Sequence, residues 1–223
     1  MSLAQQRRAM GAGIAFVALF VVGVLMNFGN TPEIKSSDTT ATAALKWTLE
    51  LSKSGNRVAL LISGYLLIVS AIALVWFANG LREWLELSPA TGRIVSGLSA
   101  LGAAAIAVAA LIGGAGIAGA VEFGENPLPT GDAIRASAEL FFPFLFVVFG
   151  LTSAALIAAV TLSATRAGRP AWLLYGGWVG VLGAIAGVLF VPFVLPLLWY
   201  LAVAIVGFAR AKPLSADWPA AET

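Results

Sequence analysis

The sequence predicts an all-α membrane protein: a bundle of six transmembrane helices with a short external interfacial helix. Three observations carry this. The chain is 60% apolar and only 11% charged, where a soluble domain has roughly a quarter of its residues charged. Apolar stretches long enough to cross a hydrocarbon core, about 20 residues each, recur from end to end. Lys and Arg gather at alternate ends of those stretches, as the positive-inside rule requires.

Five apolar runs are read directly, at residues 9–28, 58–81, 94–121, 140–164 and 171–209. The last holds 39 residues without a charge. As one helix it would reach about 58 Å, against a core of about 30 Å. It divides near Phe190 to Pro192 into spans at 171–189 and 193–209, because proline lacks a backbone donor and disfavours helix in the residue before it. Pro196 is accommodated early in the last helix. The chain is thus a single transmembrane domain over 1–223, with an external loop at 29–57 and a cytoplasmic tail at 210–223.

Charge placement tests this division independently. With the N-terminus inside, the cytoplasmic ends carry Arg7 and Arg8, Arg82 and Arg93, Arg166 and Arg169, then Arg210 and Lys212. These are eight of the 13 basic residues. The external ones, Lys35, Lys46, Lys53, Arg57 and Arg135, are spread over longer loops. Five spans would put Arg210 and Lys212 outside and break the pattern. The expected location is the bacterial cytoplasmic membrane, with both termini cytoplasmic. The first apolar run is longer than a secretory h-region and no A-x-A-like site follows "LMNFGN", so it reads as a retained signal anchor.

In the external loop, Leu45, Trp47, Leu49 and Leu51 alternate as in a strand, but also supply i,i+4 pairs. A helix is expected, since an isolated strand would have no partner. It would lie in the interface with Trp47 as anchor, or cap an external cavity. Small residues dominate 97–120, and the fifth span holds the pairs Gly176/Gly180 and Gly183/Gly187. Small residues let helix backbones approach, which places these two helices at the bundle centre; a homo-oligomer or a membrane protein partner docked on their glycine faces is the functional alternative. "ELFFPFLFVVFG" has Phe on several sides of one helix. Phe141, Phe142, Pro143, Phe144, Pro192 and Pro196 form a candidate apolar cavity toward the outer side.

The chain has no Cys and no His, which excludes disulfides and thiolate or imidazole metal ligands. No metal or other cofactor is expected, and a net charge of +2 makes no case for nucleic acid. Ionisable residues within spans mark ion pathways, and none falls near a span midpoint. The deeper hydroxyl and amide groups, among them Ser63, Ser70, Asn79, Ser99, Thr152, Ser153 and Tyr200, are of the kind that bond their own helix. The one carboxylate cluster is external: Glu122, Glu125, Asp132 and Glu139. Such a group suits a divalent cation or acid–base work, but EF-hand spacing is absent. Asp132 as helix cap and Glu139 paired with Arg135 account for two of its members without a ligand.

The closing residues, "RPAWLLYGGWVGVLGAIAGVLF" and then "LPLLWYLAVAIVGF", resemble the last hairpin of a domain-of-unknown-function family of six-span bacterial integral membrane proteins of the actinobacterial type. Arg7 with Arg8, the long first loop and Gly207-Phe208 before Arg210 match that architecture. The chain departs from it in lacking polar or acidic residues in the last helix, at "LLWYLAV". The resemblance implies the six-span fold and no activity. The expected function is therefore non-enzymatic: an accessory or scaffold subunit, or a binder of membrane lipid or another apolar ligand. The alternative is a small transporter or exporter of neutral or apolar solutes.

Overall fold

In a computed structural model of the protein, residues 2–35, 37–124, 131–166, 170–187 and 194–210 are described. Among them there is no strand. Helix α1 (Leu3–Asn30) opens with a capping box in which Ser2 and Gln5 satisfy each other's backbone N–H. Helix α2 (Thr40–Ser52) starts at a Thr39 cap. A single residue, Lys53, separates it from α3 (Ser54–Trp84). Helix α4 (Pro89–Ile112) begins with Ser88 as cap and proline in its first turn, where the missing N–H costs nothing. It breaks at Gly113 and resumes as α5 (Gly114–Phe123). Then come α6 (Gly131–Phe142), a π-helical segment (Pro143–Val148) and α7 (Phe149–Arg166). The chain closes with α8 (Ala171–Ala186) and α9 (Val194–Ala209).

Among the described residues, four helical stretches are long and apolar enough to cross a membrane: Leu3–Asn30, Ser54–Trp84, Pro89–Ile112 and Glu139–Thr165. They mark the protein as membrane-embedded. Helices α8 and α9 are apolar but have 16 residues each, about 24 Å and so short of a 30 Å core. The expected turn at Phe190 to Pro192 lies outside the described residues. The first loop, expected at 29–57, is shorter than the sequence suggests, since α3 begins at Ser54.

Successive long helices run antiparallel. On α1 and α3, Gly13 abuts Phe77 and Gly23 abuts Leu67; on α3 and α4, Gly92 abuts Arg82 and Gly102 abuts Leu74. The same reversal joins α4 to α7, α7 to α8, and α9 back to α1. That last contact is polar as well as apolar. The buried Gln6 amide donates to the carbonyls of Gly207 (2.7 Å) and Arg210 (2.9 Å), two of the acceptors that a helix end leaves without partners. The start of α1 and the end of α9 therefore lie at one end of the bundle, the Gln6 end; α2 lies at the other, the loop end.

The core is aromatic. Phe16 of α1 meets Phe149 of α7 at 6.1 Å and Tyr200 of α9 at 5.5 Å, both edge-on, and Phe77 of α3 meets Tyr200 at 6.1 Å, within the favourable range for ring pairs. Glycines on α8 receive Trp199 of α9 and Thr161 of α7, so its small-residue face is used inside the chain. Its other face, Tyr175, Trp178, Val179, Leu182 and Ile185, is exposed. The long helices follow one another around a ring that α9 closes back on α1, so neither small-residue helix is central: α4 lies between α3 and α7 with Ile94, Leu101 and Leu111 exposed, and α8 lies between α7 and α9.

Between α3 and α4 the chain makes a Schellman turn. The Leu87 N–H bonds the Arg82 carbonyl and the Glu86 N–H bonds that of Glu83. Glu86 occupies the left-handed position with φ 50°, which disfavours any residue with a Cβ. Replacing Glu86 with Gly is expected to stabilise the protein by about 1 kcal/mol, read as a higher midpoint of thermal unfolding in detergent.

Candidate binding pocket

The break in α4–α5 and the π segment arise from separate local causes and lie against each other. Gly113 is extended (φ −79°, ψ −154°), ending α4. Pro143 cannot donate to the helix ladder, and its ring crowds the preceding turn. The ladder after it slips by one residue, so that the Phe149 N–H bonds the Phe144 carbonyl. Phe141 packs where a Cβ on Gly113 would otherwise stand. The Ser137 hydroxyl donates to the Ile112 carbonyl freed by the break.

These irregularities border a cavity of about 370 Å³ at the loop end. Its walls are Phe28 of α1, Phe141 and Phe142 of α6, and Gly113 and Gly114 at the break; Trp47 and Ala43 of α2 with Thr31, Pro32, Ile34, Lys35 and Asp38 close it above. The rings form a continuous surface: Phe28 lies 5.8 Å from Phe142 and 6.4 Å from Phe146, and Phe142 lies 6.0 Å from Phe146. Asn27 also lines the cavity; it is 3% exposed, and its amide makes no hydrogen bond among the described residues.

Helix α2 is held over the cavity by one stripe. Ala43, Trp47 and Leu51, spaced by four, are buried, while Leu45 and Leu49 are exposed. Trp47 and Leu51 form a small core with Leu60 of α3 and Ile117 and Ala118 of α5. Trp47 thus faces the protein instead of serving as an outward anchor. Lys46 bonds Asp38 at 2.6 Å and the Glu33 carbonyl at 3.0 Å, and the Lys35 N–H bonds Asp38 at 2.7 Å.

The structure separates the sequence candidates. Glu139, Phe141 and Phe142 come together in the pocket, joining one member of the carboxylate cluster to two of the apolar cavity. Pro143 is exposed and Phe144 half-buried; neither is in the lining. Pro196 is buried on α9 and is not in it either. Pro192 and Glu125 lie outside the described residues, as do the side chains of Asp132 and Arg135, so the expected Glu139–Arg135 pair lies there too. Glu122 accepts from Arg57 Nε at 2.7 Å, while Arg57 Nη1 bonds the Leu51 carbonyl at 2.6 Å. Among the described residues no cluster of acids has the arrangement of a metal site. Asn27, Phe28 and Trp47 are the pocket residues that sequence reasoning missed as a set. The alternation around Trp47 was the one available signal.

Deeper hydroxyls behave largely as expected. Ser70, Ser99, Thr152 and Thr161 bond carbonyls of their own helices, but Ser63 crosses to the Gly23 carbonyl of α1 at 2.8 Å. The Ser153 and Tyr200 hydroxyls are buried and face each other, while Trp84 Nε1 and Trp199 Nε1 are buried with no hydrogen bond among the described residues. No protein-family model, curated protein or solved structure matches this chain.

The Lys46 hydrogen bond, with the Lys35 N–H second, holds the Asp38 carboxyl below its ordinary value of 3.8. A carboxyl lowered in the folded state contributes stability above its unfolded pKa, and this is lost as pH falls through the folded value. Below about pH 4 residues 31–47 are expected to exchange amide hydrogens faster, with the long helices unchanged. Asp38→Asn is expected to produce the same local change at pH 7.

Proposed function

We propose that this is a non-enzymatic integral membrane protein that binds a small apolar or amphipathic molecule in the cavity beneath its first loop. The observation that carries the reading is the cavity itself, about 370 Å³ with aromatic walls and a few polar groups, the usual make-up of a small-molecule site. The non-enzymatic part is supported by the engagement of Glu122 with Arg57, which occupies one of the candidate acids in a local ion pair. The test is purification from native membranes in mild detergent, with retained small molecules and proteins identified by mass spectrometry. A retained molecule that is lost in Phe142→Ala and Trp47→Ala is the expected result. A stoichiometric protein partner and an empty pocket would instead favour an accessory or scaffold subunit.

We further propose six spans in the bacterial cytoplasmic membrane, with both termini cytoplasmic. The antiparallel succession of α1, α3, α4, α7, α8 and α9, the Gln6 contact to α9 and the basic residues at the Gln6 end support it. Because the chain has no cysteine, single cysteines at Ser2 and Ala209 report topology without background. Both are expected to be labelled only after the membrane is opened, and labelling of either in sealed cells refutes the orientation. Kinship with the six-span domain-of-unknown-function family stays a proposal on the sequence features given above.

A second reading, a transporter or exporter of neutral or apolar solutes, is favoured by the helix break beside a π segment at the pocket. Such interruptions often accompany function. Flux of the retained molecule through reconstituted vesicles would separate it from binding alone.

A further inference from the structure

Two groups at the cavity's inner end present hydrogen-bond donors. Helix α5 has 10 residues, and its first turn has no side-chain cap; the leading N–H groups of a helix need partners from outside it. Gly114, its first residue, lines the cavity. Asn27 lines it too, is 3% exposed, and makes no side-chain hydrogen bond among the described residues. Asn27 Nδ2 lies 3.2 Å from where a Cβ on Gly114 would stand, so the buried amide and the start of α5 are side by side. Asn27 is in the last turn of α1, which sets this donor pair near the end of a long helix and not at its midpoint.

Charge then narrows what they hold. A helix start carries a partial positive charge, which favours an anion and repels a cation. Three charged residues share the lining: Lys35, Asp38 and Glu139. Asp38 is already engaged, accepting from Lys46 Nζ at 2.6 Å and from the Lys35 N–H at 2.7 Å. Glu139 has an interaction of its own. The Lys35 ammonium, on an exposed side chain, has no hydrogen bond or ion pair among the described residues. The lining therefore keeps an ammonium in reserve for a ligand, while both carboxylates are in use. The volume lies at the low end of the roughly 300–1,000 Å³ usual for ligand sites, which suits one alkyl chain and its head. Phe28 and Phe142 line the cavity and are 39% and 37% exposed at the bundle surface. They give that chain an apolar way out.

We propose, resting on the binding reading above, that the pocket takes a single-chain amphiphile with an anionic oxygen head, a carboxylate or a phosphate monoester. The head accepts hydrogen bonds from Asn27 and the start of α5 on the side of the cavity that Lys35 closes, and the chain lies along Phe28 and Phe142. The test uses the full chain in phosphatidylcholine nanodiscs, in buffer alkaline enough to ionise the acids, with two probes that carry a diazirine in the alkyl chain, a fatty acid and a monoacylglycerol. Unlabelled decanoate, decyl phosphate, monodecanoylglycerol and decyltrimethylammonium, matched in chain length and in mole fraction in the disc, compete for labelling. Labelling at Phe28, Phe141 and Phe142 is expected, with at least one anion effective at about a tenfold lower level than the neutral and cationic competitors. The better of the two anions identifies the head. Lys35→Gln, which alters an exposed side chain, and Asn27→Leu are each expected to remove most of that advantage and keep the labelling. Should Asn27→Leu fail to fold, Lys35→Gln and the competition series on the unaltered protein decide alone. A neutral or cationic competitor as effective as both anions, or an advantage that survives in either variant, overturns the head assignment and leaves the pocket standing. Labelling spread over the outer helix faces by both probes, with none in the pocket, overturns the binding reading with it.

Discussion

Backbone hydrogen bonding inside hydrocarbon is the constraint on which the rest of this structure depends. No water reaches a broken ladder there, so irregular backbone survives only where protein covers it. This chain breaks α4 at Gly113 and slips the ladder after Pro143, and it sets the two faults against each other. Ser137 takes the Ile112 carbonyl. Thr152, just past the π segment, donates to the carbonyls of both Val148 and Phe149. Each repair comes from a residue on the facing helix or the next turn. The exception is the start of α5, which no side chain caps, and it lies on the cavity. The pocket is where the repair is incomplete.

Packing explains why the faults can approach so closely. In lipid, helix association depends on contact instead of exclusion from water, and this bundle makes contact in two ways. Glycines admit neighbours directly, as Gly13 admits Phe77 and Ala204. Rings fill the remainder, with Phe16, Phe20, Phe149 and Tyr200 joining α1, α7 and α9. The hydroxyls of Ser153 and Tyr200, buried and facing each other, are polar atoms in an otherwise apolar core.

Helix positions were largely legible because hydropathy reports burial in lipid one residue at a time: the runs at 58–81 and 140–164 lie inside Ser54–Trp84 and Glu139–Thr165. The ends were less so, since caps such as Ser2 and Ser88 are polar and extend helices beyond the apolar run. The place of the small-residue helices was not legible: glycine spacing states that a neighbour comes close and leaves open how many neighbours there are, and α4 and α8 each lie between two long neighbours instead of at a centre. The pocket was legible only in pieces. Phe141, Phe142 and Glu139 stood out by type, but Asn27 is one polar residue in an apolar run. Its importance comes from Gly114, 87 positions later in sequence, and no local pattern records that pairing.

The loop over the cavity shows which forces hold a roof and which only align it. Its ion pairs, Lys46 with Asp38 and Lys53 with Glu50, are solvent-screened and individually weak. Burying a large apolar side chain is worth about 1.5–3 kcal/mol, and Trp47 and Leu51 are both buried, in a core of their own with Leu60, Ile117 and Ala118. The stripe therefore holds α2 down, and Lys46 ties Asp38 and the Glu33 carbonyl to it. That small core is separate from the main one, and it ties α2 to α3 through Leu60 and to α5 through Ile117 and Ala118. A ligand entering from the loop end has to part Trp47 from Leu60, whereas one entering between Phe28 and Phe142 disturbs neither. The lateral path is the less costly of the two, and it is the path open to a molecule already dissolved in the bilayer.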